Sequence, residues 1–200
     1  HTKHRPYIIL KWAQTANKKI AASSNERLLI TNDLTNKLVH KWRSEEAGIL
    51  VGTNTALLDD PELTNRLWSG KSPVRLVIDK NRRLPNHLKI FNQQQPTIIF
   101  NNDKHEVKPN LTLFPLGRDG DGLLNACYEN NVQSILVEGG ARLLQSFIDK
   151  GLWDEARIIT NESLIIDEGL PAPELDNSNF IRTEHLLTDR IDYYTAKEND

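Results

Sequence analysis

Short β-branched runs alternate with helical periodicities along this 200-residue chain, and that alternation limits its fold more than any other feature. The runs are Tyr7–Leu10, Gly48–Val51, Val74–Ile78, Thr97–Phe100, Ser134–Val137 and Ala156–Thr160. Unbroken apolar runs of this length suit strands covered on both faces, as in a parallel sheet. The clearest helix follows Thr31-Asn32-Asp33, whose side-chain oxygens can cap free N–H groups, with Leu34, Leu38 and Trp42 at four-residue spacing and Gly48 beyond its end. A second helix is predicted from about Leu123 to Asn130. A third starts at Gly140, carries Leu143, Leu144, Phe147 and Ile148 on one face, and stops at Gly151. The predicted class is α/β, a mostly parallel sheet with helices on both faces. Near the end, Phe180–Leu187 and Arg190–Ala196 read as an antiparallel hairpin around a Thr188-Asp189 turn. The segments 81–95, 101–110 and 166–179 read as polar connections.

The length suits one domain, taken as residues 1–200. No apolar run approaches the roughly 20 residues that span a bilayer. Twenty-five basic residues against 27 acidic ones argue against a nucleic-acid binder. The single cysteine, Cys127, excludes an intramolecular disulfide framework, and the six histidines show no metal-ligand spacing. The chain has no methionine and begins at His1, so we expect it to be part of a longer product, with the cytosol as its compartment.

Chemistry can sit in four places. In Ser134–Leu144 a strand runs into Glu138, then Gly139-Gly140, then an amphipathic helix. Paired glycines let a phosphate approach the backbone at a helix N-terminus, and they equally serve a plain tight turn. The spacing is not that of the six-residue dinucleotide fingerprint. Glu138 at a strand end either meets a ligand or is a solvated turn residue. In Gly48–Arg66 a strand meets Gly52, then hydroxyl residues, then Asp59-Asp60-Pro61. Asp60 fits a structural role there, while Asp59 fits a cap or a ligand contact. Lys11 ends the first β run, where a charge is costly unless paired or used, and where a lysine is equally read as simply solvated. Arg27, Arg43 and Arg66 carry guanidinium forks suited to phosphate.

Taken in order, Arg5–Lys11, Leu29–Thr31, Trp42–Thr55, Asp59–Arg66, Pro73–Asp79, Val137–Ala141 and Gly151–Glu155 resemble the C-terminal reductase domain of the bifunctional riboflavin-biosynthesis deaminase/reductase. The resemblance runs from about Arg5 to Ala196. It implies a dihydrofolate-reductase-like fold, a homodimer, and NADPH-dependent reduction of 5-amino-6-(5-phosphoribosylamino)uracil to the ribitylamino compound. It also implies an N-terminal deaminase domain in the parent chain. Neither of that domain's zinc motifs occurs here, so no deaminase activity and no metal are expected.

Matching positions assign Arg27, Arg43, Leu63, Arg66 and Glu138 to the substrate, the arginines holding its 5-phosphate. Ala13, Leu29, Thr55, Asp59, Lys80 and the turn Gly140, Ala141, Arg142, Leu143, Leu144, Gln145, Ser146 are assigned to the cofactor. Lys11 and Glu138 face the reacting ribose as catalytic residues. Lys80, Arg82 and Arg83 are the candidates for the cofactor's 2′-phosphate. Thr15–Ala21 departs from the family pattern, with Asn17 for an acid and Lys18 for a glycine, and Leu29 replaces a common aromatic. Two other readings stand beside this one: a reductase of the same fold acting on a folate-like or other phosphoribosyl pyrimidine, and a non-catalytic ligand-binding or dimerisation domain.

Overall fold

A computed structural model describes residues 4–23, 28–116 and 122–197. The chain forms two compact units, one from residues 1–7 and 40–136, the other from 8–39 and 137–200.

In the first unit the strand order is β8-β3-β4-β5-β7-β6, built from β3 (Gly48–Gly52), β4 (Val74–Ile78), β5 (Thr97–Asn101), β6 (Glu106–Lys108), β7 (Leu111–Pro115) and β8 (Ser134–Val137). Pairing is parallel from β3 through β4 and β5 to β7, and antiparallel between β7 and β6. Consecutive residues of β3, from Gly48 to Val51, are buried, as expected for a strand covered on both faces. Ile49, Val51, Val77 and Ile99 pack with Ala56, Leu63, Leu84, Leu88 and Ile90; each large apolar side chain so buried contributes about 1.5–3 kcal/mol. A Cβ at Gly48 would meet side-chain carbons of Leu76 and Val132 at 2.8 Å, so the packing there needs glycine. Buried Arg75 donates to Asn92 Oδ1 at 2.9 Å, and desolvation holds its pKa below the usual value.

The second unit has the order β11-β12-β9-β1, from β1 (Tyr7–Thr15), β9 (Glu155–Asn161), β11 (Ser178–Leu186) and β12 (Asp189–Ala196). Here β1 pairs parallel to β9, while β12 is antiparallel to both β9 and β11. A separate ribbon joins β2 (Lys19–Ala22) to β10 (Gly169–Pro171). Helix α1 (Asp33–Glu45) is capped as its sequence predicts: Asn32 Oδ1 accepts from the N–H groups of Leu34 and Thr35, both at 3.0 Å. Helix α4 (Ala141–Asp149) buries Leu144, Phe147 and Ile148.

The expected class is present: mostly parallel strands, helices between them, and a closing antiparallel hairpin. Four details differ from the sequence reading. First, β1 runs on to Thr15 because its second half pairs with β9, so Lys11 is central in the strand rather than at its end. Second, the hairpin turn falls at Leu187-Thr188, with Leu187 at φ 56°, not at Thr188-Asp189. Asp189 is fully buried and accepts the Asn32 N–H at 2.9 Å, which draws it into β12. Third, the polar segments contain strands β6 and β10 and a 3-10 turn at Lys89–Phe91. Fourth, the hydroxyl-rich stretch after Gly52 forms a short helix, α2 (Thr53–Asp59), for which the sequence reading has no prediction. The second sequence-predicted helix is α3 (Gly122–Glu129), which buries Cys127.

Candidate functional site

In the second unit, strand β1 presents Lys11 and the residue after β8 is Glu138. The Lys11 Nζ lies 3.8 Å from Glu138 Oε2, with the two side chains only 13% and 7% exposed. This is an ion pair, longer than a hydrogen bond and withdrawn from solvent, where a charge interaction is screened far less than at the surface. The two residues assigned to the reacting ribose are therefore brought together. Ala13, two residues along the same face of β1, is half-buried, whereas Leu29 is 77% exposed in the extended segment before α1.

Glu138 leads into Gly139 and Gly140. Gly140 sits at φ 65° and ψ 130° and begins α4 without a side-chain cap. The Leu143 and Leu144 N–H groups both donate to the Gly140 carbonyl at 3.1 Å. The amides of Ala141 and Arg142 precede them in the first turn, where a helix has no carbonyl of its own to offer. That end combines free donors, the positive end of the helix dipole and the exposed Arg142 guanidinium, a set that fits an anionic diphosphate. Farther along, Gln145 and Ser146 are turned to other work: Gln145 bridges Asp149 and Glu174, and Ser146 Oγ donates to the Leu143 carbonyl. A cavity of about 190 Å³ in this unit lies beyond the other end of α4, at Trp153, Asp176 and Lys197, and is lined by none of the assigned residues.

In the first unit, Arg43 in the last turn of α1 donates to the Thr64 carbonyl at 3.2 Å. Two residues later the Arg66 N–H donates to His40 Nδ1 at 3.1 Å. Arg66 reaches outward, its Nη1 3.5 Å from Glu62, with the side chain 51% exposed. The loop that carries Arg66 is thus fastened to α1 twice, by Arg43 and by His40, which is buried one turn before Arg43. The histidine's signal in the sequence was its i−3 position to Arg43, which a search for metal spacing passes over. Leu63 lies in the core at φ 52°, so any contact it makes with a ligand runs through its backbone. Arg27 lies outside the described residues.

Still in the first unit, the carboxyl ends of β3 and β4 carry the remaining assignments. Thr53 Oγ1 donates to the Ile78 carbonyl at 2.7 Å, tying the start of α2 to the end of β4. Thr55 is half-buried in α2, and Asp59 is exposed at the helix end. Asp60 has the structural role expected of it: in left-handed geometry, it accepts the Lys89 N–H at 2.7 Å. Buried Asp79 accepts the N–H groups of Arg83 at 3.1 Å and Leu84 at 3.0 Å. That brace shapes the turn displaying Lys80, Arg82 and Arg83, in which Arg82 takes φ 51° and lies 3.4 Å from Asp103. Asp79 is a second organiser that the sequence reading missed. Among the described residues no cluster suits a metal, and no helix is long and apolar enough to cross a membrane.

The family described as the RibD C-terminal domain matches residues 6–165. The riboflavin biosynthesis protein RibD of Aquifex aeolicus is 34% identical over 87% of this chain, which spans 51% of that protein's length. The 2,5-diamino-6-ribosylamino-4(3H)-pyrimidinone 5′-phosphate reductase of Methanothermobacter thermautotrophicus is also 34% identical, over 77% of this chain and 76% of its own. Among solved structures, a diaminohydroxyphosphoribosylaminopyrimidine deaminase/5-amino-6-(5-phosphoribosylamino)uracil reductase from Thermotoga maritima is 28% identical. It superposes on 98% of this chain and 58% of its own, with a TM-score of 0.85. A match across four fifths of its length, carrying the strands, the Glu138 corner and the arginine loop together, makes this chain a member of the RibD C-terminal domain family.

Proposed function

We propose that the chain reduces the ribosyl group of a 5′-phosphoribosylamino pyrimidine, 5-amino-6-(5-phosphoribosylamino)uracil, with NADPH. The observation that carries this reading is the shielded Lys11–Glu138 ion pair, set in a chain similar to proteins named as reductases of a ribosylamino pyrimidinone 5′-phosphate and of 5-amino-6-(5-phosphoribosylamino)uracil.

A reduced nicotinamide, when bound, supplies a hydride. What the protein must do is open the sugar and hold charge at C1. The C1–O bond of the ribosylamine breaks, the ring oxygen takes a proton, and the nitrogen lone pair forms a C=N bond that is cationic at C1. Lys11, as an ammonium, is the donor suited to the ring oxygen, and Glu138, as a carboxylate, stabilises the cation. Arg43 and Arg66 take the 5-phosphate, with Arg27 as the third arginine. The Gly140 corner and α4's first amides fit the cofactor's diphosphate, and the Lys80–Arg83 turn fits a phosphate on its adenosine. Ala13, Leu29, Thr55 and Asp59 complete the cofactor contacts. A homodimer, a cytosolic location and a deaminase domain in the parent chain belong to the same reading.

A second substrate is supported by the Methanothermobacter relative, which this chain covers over three quarters and whose name specifies a 2-amino pyrimidinone rather than a uracil. The two substrates differ only at C2 of the pyrimidine. Incubating the protein with NADPH and each substrate in turn, while following loss of reduced nicotinamide, separates the readings. Turnover of the uracil and none of dihydrofolate is expected. Faster turnover of the diamino compound would reassign the substrate, and binding without turnover of either would leave a ligand-binding domain.

A further inference from the structure

The face of β1 that carries Lys11 holds a second charged pair. In the parallel register Lys11 is opposite Arg157 and Ile9 opposite Glu155. Residues two apart on a strand share a face, so Lys11, Arg157 and Glu155 lie on one side of the sheet. Arg157 is 9% exposed, and its Nε donates to Glu155 Oε1 at 2.7 Å, a charge-assisted bond in a shielded place. On its far side Arg157 is opposite Tyr193 of β12, whose hydroxyl donates to Glu184 at 3.0 Å and whose ring stacks under Arg182 at 3.9 Å. Lys11 therefore has two carboxylates on its side of the sheet: Glu138 at 3.8 Å, and Glu155 on the diagonal of β9.

We propose that Arg157 is a positioning residue: by sequestering Glu155 and crowding Lys11 with a like charge, it directs the Lys11 ammonium onto Glu138. Arginine suits this task because it does not lose its proton and its Nε reaches the Glu155 carboxylate. The pairing is a division of partners. Arg157 keeps Glu155, and Lys11 keeps Glu138. This inference rests on the catalytic assignment of Lys11 and Glu138.

The test is a suppressor experiment with kcat, KM and cofactor dissociation constant measured for each variant. Arg157→Met leaves Glu155 as a competitor for Lys11, so kcat should fall about tenfold or more with NADPH affinity unchanged. Glu155→Gln alone should also lower kcat, because Arg157 then turns toward Glu138. The double variant removes both competitors and should recover to within about threefold of the parent. Arg157→Lys, which retains a cation for Glu155, should stay near the parent. A crystal structure of Arg157→Met gives a readout independent of turnover, with the Lys11 Nζ expected on Glu155. A merely structural arginine would give a double variant no better than Arg157→Met, and Lys11 still on Glu138; either result overturns the proposal. Parental turnover in both Lys11→Met and Glu138→Gln would instead sink the catalytic assignment beneath it.

Discussion

Lys11 and Glu138 reach each other from the middle of β1 and from a glycine corner, and each is nearly closed off from solvent. Removing one member of such a pair leaves the other charge buried without its partner, a cost of about 3–5 kcal/mol in fully buried cases. Glu138→Gln keeps the shape but loses the charge and turns one acceptor oxygen into an NH2 donor. We expect kcat to fall by about two to three orders of magnitude, with the fold and cofactor affinity retained. Stopped-flow reduction at saturating substrate checks this, and a near-parental rate would remove Glu138 from the chemistry.

Arg66 of the 62–66 loop and Arg43 of α1, which anchors that loop, should differ when truncated. Arg66 is half exposed and loosely held by Glu62, so Arg66→Ala costs little stability, surface pairs of this kind contributing about 0–1 kcal/mol. Its loss should raise KM for substrate at least about tenfold, while the dissociation constant for NADPH stays within about twofold. Arg43 also anchors the Thr64 carbonyl, so Arg43→Ala should lower both substrate affinity and the thermal midpoint. Calorimetry and steady-state kinetics on the pair separate the roles. Equal losses of substrate and cofactor binding for Arg66→Ala would contradict the phosphate assignment.

The central strands were readable because their apolar runs are unbroken, and α1 because Asn32 and the four-residue spacing agree. Lys11 was misplaced at a strand end because Trp12 to Thr15 mix polar and apolar residues, and only pairing with β9 makes them a strand. Helix α2 was unreadable from Thr53-Asn54-Thr55, residues that favour turns in isolation; a tertiary bond from Thr53 to the end of β4 secures its start. The candidate site was legible where a single residue type suggests its chemistry, as at Glu138, Arg43 and Arg66, whose roles stand as proposals. It was not legible where one side chain orders a loop from a distance. Asp79 acts on backbone N–H groups four and five residues on, and His40 acts on one 26 residues on. Neither relation leaves a local spacing to find.

The turn braced by Asp79 should decide between the two nicotinamide cofactors. Arg82 faces Asp103, so Lys80 and Arg83 are the cations best placed to meet an adenosine phosphate. The double variant Lys80→Ala, Arg83→Ala should weaken binding of 2′,5′-ADP by at least about tenfold while leaving 5′-ADP unchanged. Isothermal titration with these two probes needs no turnover. Parallel losses for both would show a general electrostatic effect instead of recognition of the 2′-phosphate.

Gly140 should tolerate no side chain. At φ 65° an L-residue is strained, and alanine there costs about 1 kcal/mol or more. A Cβ would also stand at the helix end where the diphosphate is expected. Gly140→Ala should lower the thermal midpoint and weaken NADPH binding together, whereas Gly151→Ala, also at positive φ but past the far end of α4, should lower only the midpoint. Loss of stability without loss of cofactor affinity in Gly140→Ala would mean that the corner is a turn and no more.

Cys127 gives a prediction about pH that is independent of the reaction. Desolvation raises its thiol from 9.0 to about 12 in the folded chain. An unfolded chain releases that proton near pH 9, while the folded chain retains it until about pH 12, so the unfolded state binds fewer protons between these values. Stability is therefore complete below pH 9 and declines by up to about 1.4 kcal/mol per pH unit above it. The thiolate is the reactive form, so the native protein should resist alkylation at pH 8 and react only as denaturant opens α3. Cys127→Ser should flatten the alkaline decline attributable to this group, since serine does not ionise there. Rapid alkylation of the native protein at pH 8 would show that the thiol is neither buried nor suppressed.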